Sequence, residues 1–384
     1  MSDILRFAPP TLPPTAEALR REVRDFLAAE RAKGTWAPKG DFGTNPDPAF
    51  SRKLGERGWI GMTWPRRYGG HERTMLERYV VTEELLVAGA PVTVHWIADR
   101  QSGPLILRVG TEEQKLRFLP RIARGEIFFC IGMSEPDSGS DLASIRTRAT
   151  KVEGGWRIDG RKVWTSNAHL CDYAITLVRT GPPEPDRHSN LSQFILDLRA
   201  PGVSIRPIRN LAGNHDFNEM VLDDVFLADD LLIGRPGDGW KQVTSELAYE
   251  RSGPERFLST YRLLTALVDR GGAAPDDRVA ETTGRLVAHL WTLRGMSLSI
   301  AGMLQAGETP NLEAACVKDL GNAFERAIPE VARLVAPRTA TVRGANDPFD
   351  AILDEAVLNA PSITLRGGTR EILRGIIARG LGLR

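Results

Sequence analysis

The chain has 384 residues, 42% of them hydrophobic and 26% charged, with a formal net charge of +1. That length predicts two or three packed domains, and the charge balance leaves no basic surplus for nucleic acid and no like-charge block for a disordered tail. Three scattered cysteines (Cys130, Cys171, Cys316), no run long enough to cross a bilayer and no signal-like start predict a soluble cytoplasmic protein without a disulfide framework or zinc site.

After a Pro-rich lead from Pro9 to Pro14, Leu19, Val23, Phe26 and Leu27 recur at helical spacing and predict a helix over Thr15 to Lys33. Further helices are expected over Pro48 to Gly58 and Thr74 to Ala88, with two more between Trp96 and Arg124, where Thr111 supplies a cap and Glu112-Glu113 an acidic first turn. Residues 1–126 therefore read as a helical domain. From Phe128 to Asp229 the period changes. Short β-prone runs (Tyr173 to Val178, Gln193 to Leu198, Val203 to Ile208, Met220 to Leu227) predict a compact antiparallel barrel or sandwich over 127–230. Helices return near Gly239, then over Pro275 to Gly307, Leu312 to Val335 and twice after Asp350, which makes 231–384 a helical domain.

Within the β region, the run Phe128 to Ile131 meets a polar turn from Gly132 to Ser144. Gly154-Gly155 and Asp159-Gly160 each read as hairpin connectors, and the second delivers Lys162-Val163-Trp164-Thr165-Ser166-Asn167. An indole followed by two hydroxyls suits a planar heteroaromatic ligand, because the ring stacks while hydroxyls and backbone N–H groups meet edge heteroatoms.

The helix expected from Trp240 has an apolar seam of Trp240, Val243, Leu247, position 250, Pro254, Phe257, Tyr261, Leu264 and Val268. Position 250 is Glu, the one charged residue on that seam. A buried carboxylate is costly, and desolvation raises its pKa, as a base that removes a proton α to a thioester requires. Pro254 cannot donate to the carbonyl of Glu250, so a kink is expected at the acid. The alternative is an internal ion pair of Glu250 with Arg251 or Arg256. His95, His169 and His215 have no acid partner in the sequence pattern and read as solvated or core residues.

These segments together resemble the acyl-CoA dehydrogenase family, whose first signature fits Gly132 to Ser144 at every constrained position. The tryptophan segment and the Gly367-Gly368-Thr369 run extend the resemblance over nearly the whole chain. It implies an α+β fold with an N-terminal helical domain, a middle antiparallel β domain and a C-terminal four-helix bundle. It also implies FAD, with Ser134 and the neighbouring backbone of Ile131 and Met133 at the flavin edge, Trp164 over one face and Thr165 and Ser166 near N5 and O4. Thr369 opens the last helix toward the FAD pyrophosphate, Ser140 meets the CoA moiety, and Arg251 is a substrate contact. Most members carry the base two residues before the C-terminal Thr, where this chain has Gly367. Glu250-Arg251 instead matches the Glu-Arg of the isovaleryl-CoA and long-chain type, and the Gly367 N–H keeps the role of thioester donor.

The implied reaction is acyl-CoA to trans-2-enoyl-CoA, in fatty acid or acyl-CoA catabolism. Electrons pass to an electron-transferring flavoprotein, and the protein forms a homodimer or homotetramer. Two motifs of many relatives are missing. Asp269 to Pro275 lacks Arg-x-x-Phe-Gly, and Arg333 to Asp350 lacks Gln-x-x-Gly-Gly-x-Gly, as in some members that work as heteromers. An oxygen-using relative and a non-catalytic subunit remain as alternatives.

Overall fold

The computed structural model describes residues 5–38, 46–182, 185–245, 251–273, 275–335 and 347–383. Contacts gather the chain into two units, one from 46–73 and 92–247, the other from 1–45, 74–91 and 248–384.

The first unit is built on an eight-stranded sheet: β1 (Phe129–Gly132), β2 (Arg148–Val152), β3 (Gly155–Ser166), β4 (Tyr173–Arg179), β5 (Leu191–Asp197), β6 (Val203–Ile208), β7 (Phe217–Ala228) and β8 (Leu232–Ile233). The order is β6-β7-β3-β2-β4-β5-β8, with β1 beside β4. The sheet is mixed, a correction to the antiparallel expectation, because β1 runs parallel to β4 with Cys130 opposite Ala174. The long crossover through β2 and β3 permits that return. Trp156, Ile158, Phe194, Leu196, Met220 and Val225 share one apolar core. Each such side chain removed from water contributes about 1.5–3 kcal/mol.

The Asp159-Gly160 pair is a second correction. It is no hairpin turn: β3 runs through it, with a register shift between Ile158 and Gly160. Gly160 has φ +151°, and a Cβ there would stand 2.5 Å from the Thr147 hydroxyl. The glycine serves as a bulge that lets the two backbones close up.

In the second unit, the helices Pro14–Ala32 and Met75–Val87 pack with the C-terminal helices. Thr74 and Glu77 form a reciprocal capping box at the start of Met75–Val87. Leu76 and Tyr79 pack on Leu298 and Ala301 of the helix Asp277–Gln305. Below them, buried Glu83 takes Arg20 at 2.9 Å and Arg294 at 2.6 Å. The helices Asn311–Val335, Pro348–Ile363 and Arg370–Gly380 complete the unit.

The single helix expected from Trp240 through Val268 is broken. A helix spans Gly239–Ser245, and positions 246–250, Glu250 and Leu247 among them, lie outside the described residues. Gly253 is extended (φ −73°, ψ 167°), Pro254–Arg256 forms a single 3-10 turn, and a new helix runs Tyr261–Gly271. An extended Gly253 is what the proline ring favours in the residue before it, so the backbone is interrupted there and not merely kinked. Phe257 and Leu264 are buried while Val268 is 45% exposed, so no one seam runs the whole length. Among the described residues no helix is long and apolar enough to cross a membrane.

Candidate active site

In the sheet unit, the segment after β1 is tied to the end of β3. The Val163 N–H donates to Ser134 O at 2.9 Å. A buried ion pair then locks the two: Lys162 Nζ lies 2.8 Å from Glu135 Oε1 and donates to Met133 O at 3.1 Å. Glu135 also accepts from the Thr147 N–H at 2.9 Å and the Arg146 N–H at 2.6 Å. Burial pushes the Glu135 carboxyl up, but the Lys162 ammonium and these donors outweigh it and hold it below the usual carboxylate range. Burial pulls the Lys162 ammonium down to about 8, against the attraction of Glu135. Gly132 opens the segment because a Cβ there would stand 2.7 Å from Met220 Cε.

Strict alternation would place Lys162 and Trp164 on one side of β3. A register shift between Lys162 and Thr165 separates them. Lys162 is wholly buried, whereas Trp164 is 59% exposed, at φ +58°, and meets Phe217 edge-on at 5.9 Å. A large residue in the left-handed region is strained, and such strain gathers at ligand sites. Thr165 is fully buried, and its Oγ1 has no partner among the described residues. Ser166 and Ser134 are half-buried, so the hydroxyls available at this edge are theirs. An exposed, strained indole beside half-buried hydroxyls fits the isoalloxazine that the resemblance implies.

Behind Thr165, the fully buried Asn218 donates to Thr165 O at 3.1 Å and contacts His169 Nδ1 at 3.2 Å, while its Oδ1 faces His215 Nε2 at 2.8 Å. The two imidazoles stack at 3.8 Å and line a cavity of about 340 Å³. His95 is a core residue on Ser51 Oγ at 2.8 Å, and burial pulls it down to about 4. Ser140 is exposed beside Asp141, whose carboxyl the Arg187 guanidinium holds below its usual range. Ile131 and Met133 are half-buried.

In the helical unit, the turn between Pro348–Ile363 and Arg370–Gly380 holds Gly367 (φ +64°) and Gly368 (φ +99°), both left-handed conformations that favour glycine. Thr369 caps the last helix, its hydroxyl accepting from Ile372 N–H at 3.5 Å. Gly367 is exposed. Arg251 is buried, and a Cβ on Gly368 would stand 3.6 Å from its guanidinium nitrogen. Glu250 lies outside the described residues, but the residue after it is thus at the glycine turn.

Sequence reasoning missed three supporting residues. Lys162 and Glu135 were passed over, although a lysine inside a strand of alternating burial is a sign of a buried pair. Lys318 was passed over as one charge on a long helix. Its side chain is wholly buried, and its Nζ donates to Arg366 O at 2.8 Å and to Gly367 O.

Comparisons with known proteins identify the family. The models of the acyl-CoA dehydrogenase N-terminal and middle domains match residues 13–126 and 130–225. Acyl-CoA dehydrogenase IpdE1 of Mycobacterium tuberculosis is 35% identical over 382 residues, 96% of this chain and 97% of that protein. Acyl-CoA dehydrogenase FadE34 of the same organism is 34% identical over 347 residues, covering 88% of this chain but only 46% of that longer protein. Among solved structures, the Tcur3481-Tcur3483 steroid ACAD has a TM-score of 0.85 at 28% identity over 97% of both chains. The ChsE4-ChsE5 complex from Mycobacterium tuberculosis has a TM-score of 0.82 at 30% identity, covering 97% of this chain and 99% of that one. The chain belongs to the acyl-CoA dehydrogenase family and is an FAD-dependent oxidoreductase acting on acyl-CoA.

Proposed function

We propose that this chain dehydrogenates a bulky, ring-bearing acyl-CoA to its trans-2-enoyl-CoA. Electrons pass to an electron-transferring flavoprotein, and a second chain of the family completes the assembly, in the cytoplasm. The observation that carries the chemistry is the left-handed Gly367-Gly368 turn with the Arg251 guanidinium beside it. It supports pairing the expected thioester donor with the Glu-Arg dipeptide that supplies the base.

In this reading the Gly367 N–H donates to the thioester oxygen, where charge builds as Cα loses its proton. The Glu250 carboxylate takes that proton as the general base. Bound FAD supplies the acceptor for the hydride that leaves Cβ as the Cα–Cβ double bond forms. Trp164 covers a ring face, while Ser134, Ser166 and the backbone of Ile131, Met133 and Thr165 meet the ring edge. The helix that Thr369 caps offers its N-terminal N–H groups to the pyrophosphate. Ser140 contacts the CoA moiety, and Arg251 lies on the substrate side of the turn.

The ring-bearing substrate is supported by the likeness to a steroid ACAD, and the second chain by the likeness to the ChsE4-ChsE5 complex. The two missing motifs point the same way, since the chain lacks residues that many relatives use for the adenosine half of FAD.

Titrating the yellow holoprotein under nitrogen with straight-chain, branched and ring-bearing acyl-CoAs tests this reading. Ring-bearing thioesters are expected to bleach the flavin at least about tenfold faster than straight ones, which is within what pocket contacts deliver. Reoxidation should be slow in air and fast with an electron-transferring flavoprotein. Fast reoxidation in air would move the chain to the oxygen-using relatives.

A further inference from the structure

We propose that Lys318 is the positioning residue that aims the thioester-polarising N–H. The inference rests on the reading above that Gly367 N–H is that donor, and it adds what holds the donor in place. Lys318 lies within the helix Asn311–Val335, its side chain at 0% exposure, and its ammonium donates to the carbonyls of Arg366 and Gly367.

The consequence follows from peptide geometry. A trans peptide is planar, with its C=O and N–H pointing in opposite directions. Arg366 O and Gly367 N–H belong to one such plane, and Gly367 O and Gly368 N–H to the next. A group that grips both oxygens from one side turns both N–H groups to the other. The grip is also charged, so it draws density from the amides and makes each N–H a stronger donor.

The turn needs this hold because it is made of residues with little stiffness of their own. Gly367 and Gly368 both have positive φ and no side chain to fix them. The flanks are clamped separately. The Arg366 guanidinium donates to Ser259 Oγ at 2.7 Å, and Arg370 pairs with Asp319 at 2.8 Å. Neighbouring residues of one helix thus divide the work, Asp319 fixing where the next helix starts and Lys318 fixing how the peptides between are rotated.

The test uses flavin-loaded holoprotein with an enoyl-CoA labelled with carbon-13 at the thioester carbonyl. The infrared carbonyl stretch reports donation to that oxygen directly. In the wild type it is expected below its free-ligand frequency. Lys318→Met should lose most of that displacement, with flavin content kept and ligand affinity within about threefold. Its kcat should fall about 10- to 100-fold at nearly constant KM, less than deletion of a donor outright. Lys318→Arg, which keeps charge and donors on a bulkier head, should retain part of the displacement. Asp319→Asn, which loosens the flank alone, should leave the stretch unchanged. A wild-type stretch in Lys318→Met overturns the proposal. Should Lys318→Met fail to fold, the stretch is read in Lys318→Gln, which has neither the charge nor the reach, and a wild-type value there overturns the proposal. If the wild-type ligand shows no displacement at all, Gly367 is not the donor, and the functional reading fails first.

Discussion

The tryptophan edge of the sheet unit and the glycine turn of the helical unit solve one problem in opposite ways. Both present polar groups in left-handed backbone, Trp164 at φ +58° and Gly367 at φ +64°. The edge presents side chains and is held by a buried ion pair, Lys162 with Glu135, whose carboxylate takes two backbone N–H groups as well. The turn presents backbone and is held by an ammonium on carbonyls. The edge therefore tolerates strain at a large residue because its anchor lies elsewhere, while the turn depends on having no side chain at all.

The largest effect should come from removing the anchor of the edge. Lys162→Met leaves Glu135 buried without its counter-charge, a loss of about 3–5 kcal/mol, read as a lowered denaturation midpoint and lost flavin. The pH dependence has a defined sign. The folded ammonium sits near 8 against an ordinary 10.5. Between those values the unfolded chain holds more protons, so wild-type stability gains with rising pH across that window. Wild-type stability should therefore rise relative to Lys162→Met from about pH 8 upward, and a gap that narrows there would show that attraction to Glu135, not burial, governs the ammonium.

A smaller effect is expected at the turn. Gly368→Ala forces a side chain into positive φ at about 1–2 kcal/mol. It should lower kcat more than the loss in melting temperature accounts for, since the peptide it rotates is next to the donor. Equal losses in Gly368→Ala and in a cap variant such as Thr369→Ala would reduce the turn to a helix stop. The smallest effect on stability belongs to Trp164→Ala. An exposed residue relieved of strain should change the unfolding free energy by no more than about 0.5 kcal/mol, while flavin dissociation, measured by ultrafiltration, rises about tenfold from the lost ring contact. Unchanged flavin retention would remove the indole from the site.

The edge was legible because its chemistry lies in side chains close together in sequence. Gly132 to Ser144 and Lys162 to Asn167 carry the signature themselves, and the positions of several strands needed only short β-prone runs, though not their order or the parallel pairing of β1 with β4. The bulge after Lys162 was not legible, because strict alternation cannot tell which of Lys162 and Trp164 faces out. Asp159-Gly160 was misread for the same reason: a glycine that allows close approach to Thr147 looks in sequence like one that allows a turn. The turn was half legible. Glycines mark positive φ, but the lysine that grips the carbonyls of Arg366 and Gly367 lies on another helix and has no local signal. The seam through Glu250 was drawn across Gly253-Pro254, where the chain ends one helix and starts another. The Glu-Arg pattern does not depend on that seam.

The account turns on the acid at position 250. Glu250→Gln holoprotein, mixed with the best thioester under nitrogen, measures it directly. Flavin content and ligand binding should match wild type while the bleaching rate falls about 10²- to 10⁴-fold, the range for loss of a general base. Bleaching at the wild-type rate would contradict the account, because some other group would then be taking the proton from Cα.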